Sequence, residues 1–118
     1  MSIDKHLALR ERTKKFALRV LRMSQAIPHN REANIVSNQI VRSSTGMAAN
    51  YRAAGLARSR AEFISQLGIL LEEADETVFW LEMLAESGII KPAKLAHFMT
   101  EANESVAIFA TSRRTVKS

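Results

Sequence analysis

The chain has 118 residues and a mass of 13.2 kDa, the size of a single domain, which excludes an enzyme with separate cofactor and substrate lobes. Apolar residues make up 47% and charged residues 25%, which excludes intrinsic disorder; the absence of cysteine excludes disulfides, thiolate metal sites and a cysteine nucleophile. The net charge of +5 is unevenly placed: residues 1–60 hold twelve Lys/Arg against Asp4, Glu11 and Glu32, whereas residues 61–112 hold Lys91 and Lys94 against nine acids.

Two prolines and four glycines leave too few turn signals for an all-β fold, and the plentiful Ala, Leu, Arg, Glu and Met favour helices. The first helix is predicted over about residues 4–26, with Leu9, Phe16 and Met23 on one heptad spacing and Thr13, Val20 and Ile27 on another. Pro28 ends it, and Asn30 is the expected N-cap of a second helix over about 31–57. The seam of that helix, Ala33, Val36, Ile40, Ser44, Met47, Tyr51 and Ala54, has unusually small side chains.

Ser59-Arg60-Ala61-Glu62 fits a capping box, which opens a third helix over about 60–87 that stops at Ser87-Gly88. Its seam runs through Phe63, Leu67, Leu70, Ala74, Val78, Leu81 and Ala85. Pro92 suits the first turn of a fourth helix over about 92–111, with Leu95, Met99, Ala102, Val106 and Phe109 inward. Residues 113–118 read as a basic flexible tail. Long helices joined by short connections predict an all-α, up-down-up-down four-helix bundle. No run of about 18 apolar residues and no signal-peptide pattern occurs, so the expected location is cytoplasmic, without membrane contact.

The third helix is apolar on two sides: Ile69, Phe79, Trp80 and Met83 fall outside its core sector, among Glu72, Glu76 and Glu86. A subunit interface is the preferred reading; the alternative is that Trp80 widens the core of a single protomer. On the second helix Arg31, Arg42 and Arg52 share a sector of roughly 80° at 100° per residue, with Arg58 and Arg60 at the following turn. Such a row can track phosphates, although no aromatic residue interleaves it. The competing use is ion pairing with the acidic third helix of a neighbouring subunit. Lys14, Lys15, Arg19 and Arg22 extend the same positive field.

Other constellations carry no chemistry. No histidine among His6, His29 and His97 has a Glu three residues before it, so the Glu-x-x-His metal pattern is absent and no metal or cofactor is expected. Glu72, Glu73, Asp75 and Glu76 point around most of a helix and read as a solvated or salt-bridged face. Ser43-Ser44-Thr45 lacks a base and a nucleophile elbow, and no phosphate loop occurs, so the chain does not read as an enzyme. With Gly46, Ala48, Ala49, Ala53, Ala54 and Gly55, these residues instead permit close helix approach. Asn50, at the border of the seam, either fixes register through a polar partner or lies partly exposed near the bundle end.

Four segments in order, Gln39-Ile40-Val41-Arg42-Ser43-Ser44, Ala49-Asn50-Tyr51-Arg52-Ala53-Ala54, Ala57-Arg58-Ser59 with Glu62-Phe63, and Glu72-Glu73-Ala74-Asp75-Glu76 with Trp80-Leu81-Glu82, resemble the four-helix-bundle proteins named after the intervening-sequence protein of large-subunit ribosomal RNA genes. The resemblance implies a left-handed bundle assembled into a ring-like homo-oligomer, a pentamer in relatives, with no general biochemical activity. A related branch, the accessory variability proteins of retroelements, works with a reverse transcriptase and its RNA. The chain departs from the common family form at Ala53, Ala54 and Leu56, where many members carry Glu-Gly, so any site built on that Glu is absent. The combined reading is a non-enzymatic homo-oligomeric bundle whose basic surface binds RNA, DNA or a nucleoprotein partner such as a reverse transcriptase. The alternative is a protein-interaction scaffold whose arginines serve intersubunit ion pairs.

Overall fold

A computed structural model describes residues 3–118 as four helices: α1 (Ile3–Gln25), α2 (Arg31–Ala54), α3 (Arg60–Glu86) and α4 (Pro92–Lys117). The local signals act as their chemistry dictates. The Asn30 side chain accepts from the Ala33 amide at 2.9 Å, and Ser59 Oγ accepts from the Glu62 amide at 3.0 Å. Gly88, at φ 79°, follows α3 in the left-handed region, and the Ile90 amide then donates to the Leu84 carbonyl at 3.2 Å. Pro92 occupies the start of α4, where its missing N–H has no role to lose.

Consecutive helices run antiparallel. His6 stacks on Tyr51, Arg42 faces Glu73 and Glu76, and Arg60 reaches Val116, so each helix reverses the direction of the one before it. α1 and α4 close the bundle through Arg12 and Arg19, which meet Glu101. The result is an all-α up-down-up-down bundle 44 Å long and about 20 Å across. Among the described residues, no helix is long and apolar enough to cross a membrane.

The core follows the heptad seams. Phe16, Val20 and Ile27 of the first segment, all seven seam residues of α2, Leu67, Leu70, Ala74 and Leu81 of α3, and Leu95, Ala102 and Phe109 of α4 are buried. Tyr51 lies between the His6 and Phe109 rings, at centroid distances of 4.9 and 5.7 Å, and burial pushes its phenol up to about 12. The α2–α3 seam also buries polar groups. Thr77 Oγ1 lies 2.9 Å from Ser43 Oγ and donates to the Glu73 carbonyl at 2.9 Å, which sets the register of the two helices. Asn50, by contrast, is half-buried and makes no side-chain hydrogen bond among the described residues.

Two boundaries differ from the sequence reading. α2 ends at Ala54, three residues early, because Leu56 and Ala57 turn back to the carbonyls of Ala53 and Ala54 and tighten the last turn. The supposed flexible tail at 113–118 is instead helix as far as Lys117. Tertiary contacts hold it. Arg60 Nε donates to the Val116 carbonyl at 2.9 Å and its Nη2 to the Ser118 carbonyl at 3.1 Å, Arg113 lies over Gly68, and Val116 packs on the core.

Arg60→Ala is expected to fray the last two turns of α4, read as fast amide exchange after Ser112 with the remaining helix protected. Thr77→Val keeps shape but removes the hydroxyl that joins Ser43 to α3. Urea denaturation should register a loss of about 1–2 kcal/mol, the usual cost of depriving a buried hydroxyl of its partner.

Candidate nucleic-acid interface

The five arginines singled out from the sequence do not form one free row. Arg42 reaches across to α3 of its own chain, where it pairs with Glu76 and lies 3.6 Å from Glu73 Oε2, and it also donates to Gln39. The small seam makes this possible. A Cβ at Gly46 would stand 3.2 Å from the Glu73 carboxylate, so glycine lets that carboxylate settle against α2 within reach of Arg42. Arg60 is committed to the end of α4, and Arg58 pairs with Glu62 on the next turn while remaining almost wholly exposed. Arg31 and Arg52 are exposed and form no ion pair among the described residues.

Arg19 also leaves the predicted field. It donates to Glu101 Oε2 at 2.7 Å, sits 2.7 Å from His97 Nδ1 and covers the Phe98 ring at 4.9 Å, while Arg12 binds Glu101 and Glu104. What remains is a different cluster. Arg10 and Lys14 of α1 and Arg52 of α2 line a shallow 210 Å³ groove floored by Ala48 and Ala49, with no carboxylate in its wall. Two alanines keep the floor low, and the helical offsets of 10 to 14 and of 48, 49 and 52 bring the charges to one side. Arg10 was not singled out from the sequence. The signal for it was present only as the antiparallel pairing of α1 with α2.

The predicted interface residues lie on the edge formed by α3. Ile69, Phe79 and Met83 are exposed, at 40, 47 and 39%. Trp80 is half-buried, packs on the core and meets Phe79 edge-on at 4.8 Å; its indole N–H is buried without an acceptor among the described residues. Where the common family form has Glu-Gly, Ala53 is exposed, Ala54 is buried and Leu56 is exposed. Among the described residues, no group of three or more His, Asp or Glu side chains is placed to hold a metal ion.

Burial raises the Glu73 carboxyl above its ordinary 4.5; Arg42 opposes that rise, while Glu76 and Glu72 add to it. Folding therefore retains a proton on Glu73 that the unfolded chain has released. The associated stability is full below about pH 4.5 and is lost as pH rises through the higher folded value. Glu73→Gln removes this loss, so its stability relative to the parent should increase from about pH 4 to pH 8 in urea titrations. A difference independent of pH would remove the assignment.

A family model for the 23S rRNA-intervening sequence protein matches residues 5–110. Among solved structures the chain is similar to a protein of unknown function from the S23 ribosomal protein family of Bacteroides thetaiotaomicron, at 30% identity and a TM-score of 0.85, covering 93% of this chain and 98% of that one. No protein of curated function matches. The match spans most of all four helices, including the small-residue seam and the acidic α3, and the chain belongs to the 23S rRNA-intervening sequence protein family.

Proposed function

We propose that this protein is a non-enzymatic, homo-oligomeric bundle that binds the phosphate backbone of nucleic acid at the groove between α1 and α2. The observation that carries the reading is the convergence of Arg10, Lys14 and Arg52 on one groove without a carboxylate in its wall. Cations of this kind attract a polyanion by releasing its counterions, and the alanine floor lets a backbone approach closely. Arg31 extends the same helix face toward the other end of α2. Arg42 and Arg60 are left out of the binding set, because their charges are already engaged within the chain. Assembly repeats the groove, which converts several weak contacts into one strong one.

Fluorescence anisotropy with short single-stranded RNA and duplex DNA between about 50 and 300 mM salt tests the reading. Lys14→Ala with Arg52→Ala should lower the slope of log affinity against log salt by about 1.5–2 for each groove engaged, since each neutralised phosphate contributes about 0.7–0.9. Arg42→Ala should leave the slope unchanged. Absence of salt-dependent binding at about 50 mM salt to either polymer would instead favour a scaffold that contacts only protein.

A further inference from the structure

We propose that successive copies of this chain associate edge to edge, with the exposed stripe of α1 on one copy lying parallel to the exposed stripe of α3 on the next. The inference rests on the homo-oligomeric reading above and adds the two surfaces, their orientation and their register. It begins with two apolar stripes that the bundle leaves uncovered. Leu7, Leu18 and Leu21 of α1 are 50, 40 and 37% exposed, and Ile69, Phe79 and Met83 form the corresponding stripe on α3. In this topology α1 and α3 sit on opposite corners, so one chain cannot cover both stripes with itself.

The charges beside the stripes are opposite. Lys14, Lys15 and Arg22 flank the leucines, and none of the three forms an ion pair among the described residues. Glu72, Asp75, Glu82 and Glu86 flank Phe79 and Met83, and these four likewise form no ion pair. A stripe with its own sign of charge cannot pair well with its copy, because like charges would be brought together. It pairs well with the other stripe.

The heights also agree. His6 beside Tyr51, and Arg10 and Lys14 beside Ala48, Ala49 and Arg52, set α1 against α2; Arg42 beside Glu73 and Glu76 sets α2 against α3. Carried through α2, Leu7 stands near the level of Ile69, and Leu18 and Leu21 stand near Phe79 and Met83. The route through α4, by Arg12 and Arg19 to Glu101 and by Gly68 to Arg113, gives the same levels within about one 5.4 Å turn. Lys14 and Lys15 then meet Glu72 and Asp75, and Arg22 meets Glu82 and Glu86. Glu11 is the one like charge facing Glu72, and it lies beside Lys14 and Lys15.

Because α1 and α3 run in the same direction, a contact between equal heights advances from copy to copy by rotation with little rise. A head-to-tail contact of that kind closes into a ring, whereas one with a rise builds a filament. The α2 face, with its Arg10–Lys14–Arg52 groove, stays open between successive contacts.

The absence of native cysteine makes the test direct. Leu18→Cys and Phe79→Cys are prepared singly and together, and each purified chain is treated with a short bis-maleimide and run on a denaturing gel. The double variant should yield a ladder of covalent multimers, and an equimolar mixture of the two single variants should stop at dimer. Neither single variant should cross-link alone. Cross-linking of a single variant by itself, or an oligomer with no cross-link in the double variant, overturns this pairing while leaving oligomerisation intact. A parent chain that remains a 13 kDa species in light scattering at micromolar concentration defeats the oligomeric reading as well. As a second measure, Lys15→Glu with Arg22→Glu should weaken assembly about tenfold, and adding Glu82→Lys with Glu86→Lys should restore it. Failure of that restoration, with helical content unchanged by circular dichroism, also counts against the pairing.

Discussion

The close approach of α2 and α3 is the constraint from which the other features of this bundle follow. Ser43, Ser44 and Gly46 present so little volume that Thr77 can bond to Ser43 and the Glu73 carboxylate can lie where a larger residue would place its Cβ. Half-burying that carboxylate costs solvation, which Arg42 recovers in part by pairing with Glu73 and Glu76. Exposed pairs of this kind add only tenths of a kcal/mol to stability. Their larger effect is on where charge remains free. By engaging Arg42, the seam interrupts the arginine row of α2 and leaves the uncompensated cations on the α1 side.

The same sorting operates around the rest of the molecule. The basic first half and the acidic second half partly cancel inside one protomer, through Arg12 and Arg19 with Glu101 and Glu104 on one side and Arg42 with Glu73 and Glu76 on the other. What the bundle does not cancel is segregated by edge: lysines and arginines beside the exposed leucines of α1, carboxylates beside Phe79 and Met83 of α3. A four-helix bundle with α1 and α3 on opposite corners cannot bring these sets together within one chain. The proposed assembly and the proposed groove are two consequences of one arrangement, since charge that is unpaired within the chain is available for another molecule.

Family membership and fold were legible before the coordinates, because each depends on local pattern. The order of the Arg-Ser segment, the Asn50-Tyr51 segment, the capping turn and the acidic helix is carried by linear sequence, and Asn30, Ser59, Gly88 and Pro92 act on neighbouring backbone groups alone. The handling of single arginines was not legible. Arg42 and Arg52 sit on the same helix and look alike in a helical projection, yet one meets a carboxylate on α3 and the other lines a groove with Arg10 and Lys14. Helical periodicity says which way a side chain leaves its own helix and nothing about what waits there.

The sequence by itself determined four amphipathic helices, their caps, the residues of the core and the presence of a surplus apolar sector on α3, since all of these follow from the 3.6-residue period and from backbone groups a few positions apart. Only the tertiary structure decided that the last six residues continue α4 almost to the end, that Arg19, Arg42 and Arg60 are spent within the chain, and that Trp80 leans on the core while Phe79 stays outside. Those outcomes depend on the rotation and height of one helix against the next. Helix packing sets both quantities through side-chain volume at the seam, and here the deciding volumes are the missing Cβ of Gly46 and the hydroxyl-sized side chain of Ser43.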